Sequence, residues 1–277
     1  MTDVRDEVAG ATAAGTAAEP RGDFIWYELL TTDIAAAKTF YDAVVGWNVQ
    51  DRSDFPNDYR MIGRSDGKFA GGAMQITDDM KQHGARPTWL AYIHVPDVDA
   101  QAAAIERDGG KVMMPPFDIP GVGRVAMVTD PQGAPFYVMK PLPPQGDPNA
   151  MSDVFSPDGQ QRVGWNELST SDPAAARKFY GEQFGWDSND FMDMGEMGEY
   201  RFLDQGGQRI GALCGVMAGG QPKWRFYFRV PSITNAKQVV EDKGGTVAMG
   251  PHQVPTGDWI IIGHDPQGAE FALVGGE

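Results

Sequence analysis

Two glutamates each stand two residues after a tryptophan in a repeated segment. The segment that begins at Trp26 reads WYELLTTDIAAAKTFYDAVVGW and the one that begins at Trp165 reads WNELSTSDPAAARKFYGEQFGW, with 12 of 22 positions identical. If the segment opens on a strand, residues two apart project from the same face. Burial beside an indole raises a carboxyl pKa toward the range useful for proton transfer. Glu28 and Glu167 are therefore candidate general bases, or anchors for a substrate hydroxyl or amine.

A second interpretation of the two glutamates stays open. A buried carboxylate is also stabilised by an ion pair, so each glutamate could instead bind an arginine of a neighbouring strand. The arginines available in predicted strands are Arg124, Arg201, Arg209 and Arg225.

The rest of the repeat predicts how these residues are positioned. After a short aromatic strand, Asp33 and Asp172 occupy N-cap positions, and alanines and aromatics follow at helical spacing. Pro173 fits the first helical position of the second copy, and Gly46 ends the first helix as a C′ glycine. Both copies thus predict a strand followed by a helix.

Each half repeats this pattern once more. Further strands are followed by a second strand and helix, which begin at Thr88 in the first half and at Lys223 in the second. Both halves then close with a DPQG β-turn between two strands, at Asp130 and Asp265. The predicted unit is strand, helix and three strands, used twice in each half.

Length and composition set the organisation of the chain. With 277 residues, the chain is long enough for two domains that each bury a core. We predict a disordered tail at residues 1–22, domains at 23–140 and 163–277, and a Pro- and Gly-rich linker at 141–162. The net charge of −15 disfavours nucleic acid and anionic membranes. One cysteine and the lack of a signal-like or transmembrane-length segment favour the cytoplasm.

The doubled unit, with D-x-x-x-A-x-x-FY and GW at its start and the DPQG turn at its end, resembles the vicinal oxygen chelate superfamily. That superfamily includes glyoxalase I, bleomycin resistance proteins and extradiol dioxygenases. The resemblance implies an α+β fold of two tandem glyoxalase-like domains. Each domain would contain two βαβββ units whose curved mixed sheets form an open cup.

The resemblance also implies a divalent metal in the cup, but the slots of its ligands hold other residues. The first-strand slots hold Trp26 and Trp165, those of the second units hold Trp89 and Trp224, and the last-strand slots hold Tyr137 and Ala272. Neither indole nor alanine binds a hard cation. We therefore predict no cofactor, and a divalent metal held by atypical ligands stays open.

In place of metal ligands, the sequence predicts aromatic walls around the two glutamates. The predicted walls consist of Trp26, Trp89 and Tyr137 in the first domain and of Trp165, Trp224 and Phe226 in the second. Such walls suit a flat or aromatic ligand, which would stack or make cation–π contacts.

Three functions are compatible with these features. The first is a small-molecule-binding protein, monomeric or homodimeric, that acts as a lyase or isomerase on a small carbonyl or hydroxylated compound, with a glutamate as general base. The second is a non-catalytic protein that sequesters a planar drug or metabolite. The third is a metal-dependent lyase or dioxygenase. The sequence does not decide whether the protein is catalytic or which units pair, although pairing of neighbouring units is the expectation.

Overall fold

The computed structural model describes residues 21–53, 55, 58–143, 146–147, 150–217 and 219–277. Residues 1–20 of the predicted tail and part of the predicted linker lie outside this range. Within it, no helix combines the length and the apolar character needed to cross a bilayer.

Each half of the chain forms one eight-stranded mixed sheet. The strands of the first half are β1 (Phe24–Thr31), β2 (Asn48–Val49), β3 (Tyr59–Gly63), β4 (Phe69–Gln75), β5 (Thr88–His94), β6 (Lys111–Ile119), β7 (Gly123–Thr129) and β8 (Pro135–Pro141). Those of the second half are β9 (Val163–Thr170), β10 (Phe191–Asp193), β11 (Glu199–Gln205), β12 (Gln208–Gly215), β13 (Lys223–Ser232), β14 (Thr246–Gln253), β15 (Trp259–His264) and β16 (Glu270–Gly276).

The helices lie between the strands of each unit. They are α1 (Ile34–Val45), α2 (Asp78–Gln82), α3 (Val98–Arg107), α4 (Pro173–Phe184) and α5 (Ile233–Asp242), with a 3₁₀ turn at Gly195–Met197. The predicted caps are confirmed. Asp33 accepts hydrogen bonds from the amides of Ala35 and Ala36 at the start of α1, and Gly46 ends that helix with a φ of 81°. The elements α2, β2 and β10 are too short to show a periodicity and were not predicted.

The two units of one half share a sheet, as expected for neighbouring units. The strand order is β2-β3-β4-β1-β5-β8-β7-β6 in the first half and β10-β11-β12-β9-β13-β16-β15-β14 in the second. The first strands of the two units, β1 and β5, are antiparallel neighbours at the centre, and β9 and β13 repeat this arrangement. The predicted α+β architecture of open, unclosed sheets is confirmed, and the central strand pair of each sheet carries the candidate site.

The opposite faces of the sheets build one core that both halves share, which corrects the expectation of a separate core in each. Helix α1 of the first half packs on α5 and β13 of the second. The Tyr41 hydroxyl donates to Asp265 Oδ2 (3.0 Å), and the Tyr180 hydroxyl donates to Asp130 Oδ2 (3.2 Å). These aspartates open the two DPQG turns, so the first helix of each half is tied to the last turn of the other.

Candidate active site

One face of the first sheet collects a glutamate and four aromatic residues. The strand register places Trp26 opposite Tyr92, and Tyr92 in turn pairs with Tyr137 on β8. Tyr59 on β3, which β4 separates from β1, also contacts Trp26. We call this face the first cup, and it is defined by Trp26, Glu28, Tyr59, Tyr92 and Tyr137.

Glu28 lies on the floor of the first cup, where it is only 2% exposed. Its Oε2 accepts a hydrogen bond from the Tyr92 hydroxyl at 2.9 Å, whereas its Oε1 is buried without a hydrogen-bond partner in the part of the chain that the structure describes. Burial raises the pKa of Glu28 to about 7, against the hydroxyls of Tyr92 and Tyr59, which lower it. Glu28 therefore exchanges between neutral and charged forms near neutral pH.

Two contacts position Tyr59 in the first cup: a hydrogen bond from Trp26 and close packing against the backbone of Gly72. The indole Nε1 of Trp26 donates to the Tyr59 hydroxyl at 2.7 Å. The Tyr59 hydroxyl lies so close to Gly72 that a Cβ at that position would stand 2.1 Å from it. Gly72 is also the partner of Glu28 in the β1–β4 pair. Only glycine thus permits Tyr59 to lie beside the strand that carries the glutamate.

The remaining walls of the first cup are apolar or neutral. The rings of Tyr92 and Tyr137 stack with centroids 4.3 Å apart and planes at 10°. Burial raises the pKa values of both phenols further above their ordinary range, and the charge of Glu28 adds to this. Both tyrosines therefore remain protonated hydrogen-bond donors at neutral pH. Apolar residues packed beside them are Leu30, Ile76, Leu90, Val125 and Met139.

The second sheet repeats the arrangement around Glu167. Trp165 Nε1 donates to the Tyr200 hydroxyl (2.8 Å), and that hydroxyl donates to Glu167 Oε2 (2.8 Å). Tyr227 donates to the same oxygen at 3.0 Å. The second cup is defined by Trp165, Glu167, Tyr200, Arg225 and Tyr227.

Arg225 distinguishes the second cup from the first. In the register of the central strands, Arg225 lies opposite Glu167, whereas Leu90 lies opposite Glu28. Arg225 Nη1 binds Glu167 Oε1, and its Nε binds Glu270 Oε1 at 2.8 Å. Lys223 Nζ binds the other oxygen of Glu270 at 2.6 Å. Burial raises the pKa of Glu270, but Arg225 and Lys223 outweigh it, so the net shift is downward.

The ion-pair interpretation is thus confirmed for Glu167, whereas none of the basic residues that the structure describes forms an ion pair with Glu28. The other candidate arginines bind different acids. Arg124 pairs with Asp99 and Asp118, Arg201 with Glu199, and Arg209 with Asp190 and Asp204.

Three predicted wall residues lie on the other face of their sheets. Trp89 pairs with Leu29 and Trp224 with Leu168, so both indoles enter the shared core together with Phe226. Their Nε1 atoms donate to the hydroxyls of Tyr41 and Tyr180, at 2.9 and 3.1 Å. The predicted placement in the cups is therefore wrong. Because side chains alternate along a strand, an alignment error of one residue exchanges the two faces.

The predicted walls that do lie beside a glutamate are Trp26 and Tyr137 in the first cup and Trp165 in the second. Sequence reasoning missed the four tyrosines that contact the carboxylates. A signal was present, because Tyr59 and Tyr200 both precede an arginine in matching strands, YRMI and YRFL. Another was the charge in KWRFYFRV, which marks the face of Arg225 as the polar one and that of Trp224 as the core.

The donor set of the cups does not fit the divalent metal that the resemblance implies. Across the described ranges, no group of three or more His, Cys, Asp and Glu side chains could hold a metal ion. The groups around Glu28 are protonated phenols and an indole, which bind a hard cation poorly. In the second cup, the cation of Arg225 already occupies the space between Glu167 and Glu270.

Comparisons with known proteins agree with the fold. The model of the Glyoxalase/Bleomycin resistance protein/Dioxygenase superfamily matches residues 24–138 and 162–273. A Putative glyoxylase CFP32 of Mycobacterium bovis is 31% identical over 253 residues, which are 90% of this chain and 93% of that protein. The Anthracycline biosynthesis protein DnrV of Streptomyces peucetius is 29% identical over 259 residues, covering 90% and 91% of the two chains.

Two solved structures share the fold at low sequence identity. The Mn(II)-bound glyoxalase from Novosphingobium aromaticivorans superposes with a TM-score of 0.62 at 19% identity, over 92% of this chain and 82% of the other. A substrate complex of homoprotocatechuate 2,3-dioxygenase from Brevibacterium fuscum gives 0.60 at 19% identity, over 93% and 82%. The predicted resemblance is confirmed, and the chain belongs to the glyoxalase, bleomycin resistance protein and dioxygenase superfamily.

Proposed function

We propose that the first cup binds a small carbonyl or hydroxylated compound and that Glu28 acts as its general base in an isomerase or lyase reaction. The observation that carries this proposal is the Oε1 atom of Glu28, which is buried and has no hydrogen-bond partner among the described residues. An unpaired buried acceptor costs free energy that a ligand donor would recover. Such an atom is a natural place for a substrate proton.

The protonation behaviour of Glu28 is suited to enolisation of a bound carbonyl compound. A base is most effective when its pKa lies near the working pH, and that of Glu28 is raised to about 7. Glu28 Oε1 would take a proton from the carbon next to a carbonyl. The C–H electron pair would form a C=C bond, and the carbonyl oxygen would become an oxyanion. Where the deprotonated carbon also carries a hydroxyl, the proton of that hydroxyl passes to the oxyanion, and Glu28 returns its proton to the former carbonyl carbon, which gives the isomer. Where the carbon beyond it carries a leaving group, the enolate re-forms the carbonyl as that group departs with its bonding electrons, which gives the lyase product.

We propose that the second cup does not supply a base. Both carboxylate oxygens of Glu167 have partners, Arg225 on one side and two tyrosines on the other. With both oxygens engaged, neither is free to accept a proton from a substrate carbon. Glu167, although predicted as a candidate base, is assigned to holding the second sheet together.

The test is solvent-deuterium exchange into hydroxyacetone and 2-hydroxyacetophenone, followed by NMR. Wild type should incorporate deuterium at the carbon next to the carbonyl, and Glu28→Gln should lower the rate by about 10²-fold or more. Glu167→Gln, checked for folding by circular dichroism, should retain the rate. Equal rates in wild type and Glu28→Gln, or no exchange by wild type, would contradict the proposal.

A second candidate is sequestration of a planar molecule. It is supported by the aromatic side chains of the first cup and by a relative that is named for anthracycline biosynthesis. A hydroxylated anthraquinone would then quench the fluorescence of Trp26, its mass would stay unchanged, and Trp26→Phe would reduce the quenching. Formation of a product from the bound quinone would exclude this candidate.

Other parts of the sequence interpretation stay predictions. They are the cytoplasmic location, the monomeric or homodimeric state, the lack of nucleic-acid partners and the domain bounds.

A further inference from the structure

We propose that Tyr59 donates the hydrogen bond that stabilises the substrate oxygen in the first cup, and that Trp26 is the positioning residue that orients it. This inference rests on the proposed role of Glu28. It adds a second catalytic residue and gives a role to the tryptophan–tyrosine pair of the first cup.

The direction of the Tyr59 proton follows from the chemistry of its partner. An indole N–H can only donate, so at the contact with Trp26 Nε1 (2.7 Å) the Tyr59 oxygen is the acceptor. The phenol proton must then point elsewhere. The hydroxyl group lies over Gly72, beside the strand of Glu28, and it lowers the pKa of that carboxyl. The proton is therefore directed into the space around Glu28.

In the second cup, the equivalent hydroxyl is that of Tyr200, and it donates its proton to the glutamate. Tyr200 accepts from Trp165 (2.8 Å) and donates to Glu167 Oε2 (2.8 Å). In the first cup, Glu28 Oε2 already accepts from Tyr92, and Oε1 has no hydrogen-bond partner within the ranges that the structure covers. Glu28 Oε1 and the Tyr59 hydroxyl therefore lie in the same cup. A bound carbonyl compound can give a proton to the first and accept a hydrogen bond from the second.

The two groups have complementary parts in proton abstraction. When Glu28 Oε1 takes the substrate proton, its carboxylate loses its charge and becomes a weaker acceptor. At the same moment, the substrate oxygen gains negative charge and becomes a stronger one. The Tyr59 hydroxyl then donates its hydrogen bond to the oxyanion. Burial raises the pKa of Tyr59 well above its ordinary value, so Tyr59 keeps its proton and acts by donating a hydrogen bond.

The first arm of the test measures the pKa of Glu28 in the free protein. Side-chain carboxyls are labelled with ¹³C, the Glu28 resonance is assigned with Glu28→Gln, and the pH is varied. Tyr59→Phe removes a donor that lowers this pKa, so the midpoint should rise above about 7 by on the order of one unit. Trp26→Phe should give a smaller rise. Tyr200→Phe and Trp165→Phe, the matched variants of the second cup, should leave it unchanged.

The second arm is the deuterium-exchange rate with 2-hydroxyacetophenone. Tyr59→Phe should lower kcat by about 10²-fold with little change in KM, because the lost donor acts mainly on the oxyanion. Tyr200→Phe should keep the wild-type kcat. If Tyr59→Phe does not fold, Trp26→Phe serves in both arms, with smaller effects in the same directions.

The outcomes separate the two proposals. Exchange that does not depend on Glu28 removes the proposed function, and the role of Tyr59 with it. Exchange that requires Glu28 but is undiminished in Tyr59→Phe overturns the role of Tyr59 alone. An unchanged Glu28 titration in the folded Tyr59→Phe protein has the same meaning.

Discussion

The two cups are built on the same four types of side chain and differ in the residues around them. Each has a tryptophan that donates to a tyrosine, a glutamate, and a second tyrosine that donates to the glutamate. The residue opposite the glutamate is Leu90 in one and Arg225 in the other. The residue beside the second tyrosine is Tyr137 in one and Ala272 in the other. The duplicated frame thus places one carboxylate opposite a leucine, with a tyrosine as its hydrogen-bond donor, and pairs the other with a cation.

The difference shows that the residue opposite the glutamate on the neighbouring strand determines the electrostatic environment of the carboxylate. Residues directly opposite each other in an antiparallel pair contact side chain to side chain. With leucine opposite, the glutamate gains no compensating charge and its pKa rises to about 7. With arginine opposite, the glutamate is part of an ion network that also includes Glu270 and Lys223. The first arrangement favours proton exchange, and the second favours stability of the sheet.

The largest expected effect is that of Arg225→Leu, which makes the second cup resemble the first. This change leaves two carboxylates, Glu167 and Glu270, without the guanidinium between them. Removal of one partner of a buried ion pair typically costs about 3–5 kcal/mol, and we expect a loss of this size in the free energy of unfolding at pH 8. Urea denaturation at pH 8 measures it.

The matched control is Arg124→Leu on β7, whose partners Asp99 and Asp118 are exposed. Ion pairs at the surface contribute about 1 kcal/mol or less. Equal losses in the two variants would mean that the cation of the second cup has no special stabilising role.

The next effect is the contribution of Glu28 to the pH dependence of stability. The pKa of Glu28 is raised from 4.5 to about 7 in the folded protein. Folded Glu28 therefore binds its proton more tightly than unfolded Glu28, and this contribution is lost as the pH rises from about 4.5 to 7. Each pKa unit corresponds to about 1.4 kcal/mol, so the loss is about 3 kcal/mol above pH 7. Glu28→Gln should lack it.

The measurement compares urea denaturation of wild type and Glu28→Gln from pH 4 to pH 8.5. Relative to wild type, the variant should gain stability across this range, with most of the gain between about pH 4.5 and 7. Parallel pH profiles for the two proteins would show that burial does not perturb Glu28.

The smallest effect concerns Cys214, which lies near Glu167. Burial raises the pKa of this thiol from 9.0 to about 11, and the charge of Glu167 adds to the rise. At pH 8 the thiolate fraction is then about a hundredfold lower than that of an ordinary cysteine, and alkylation by iodoacetamide should be slow. Glu167→Gln should accelerate it several-fold. A rate in folded wild type equal to that of the urea-unfolded chain would contradict this picture of the second cup.

The fold could be predicted because its signals are local and occur twice. Asp33, Gly46 and Pro173 mark the ends of helices by capping chemistry that acts over a few residues. The DPQG turns fix the last strand pairs by the same kind of local geometry. Each capping or turn motif in one half has a counterpart in the other, and the two support the same predicted element.

The site was predicted only in part, because its remaining features depend on register and on contacts distant in sequence. The spacing of Trp26 and Glu28 places both on one face whatever the partner strand is. The face of Trp89 depends on how β5 pairs with β1, and that pairing cannot be read from either strand alone. Tyr59 reaches Glu28 from a different strand, and its position requires that residue 72 be glycine.

The two tyrosine–aspartate hydrogen bonds between the halves are related by symmetry. Tyr41 and Tyr180 occupy the same place in the repeat, as do Asp130 and Asp265, and each tyrosine donates to the aspartate of the other half. This reciprocity is the defining property of an isologous interface, in which two identical subunits are related by a twofold axis. A single half that carried both residues would make the same pair of contacts with its own copy. The arrangement is that of a homodimer whose two subunits have been joined into one chain.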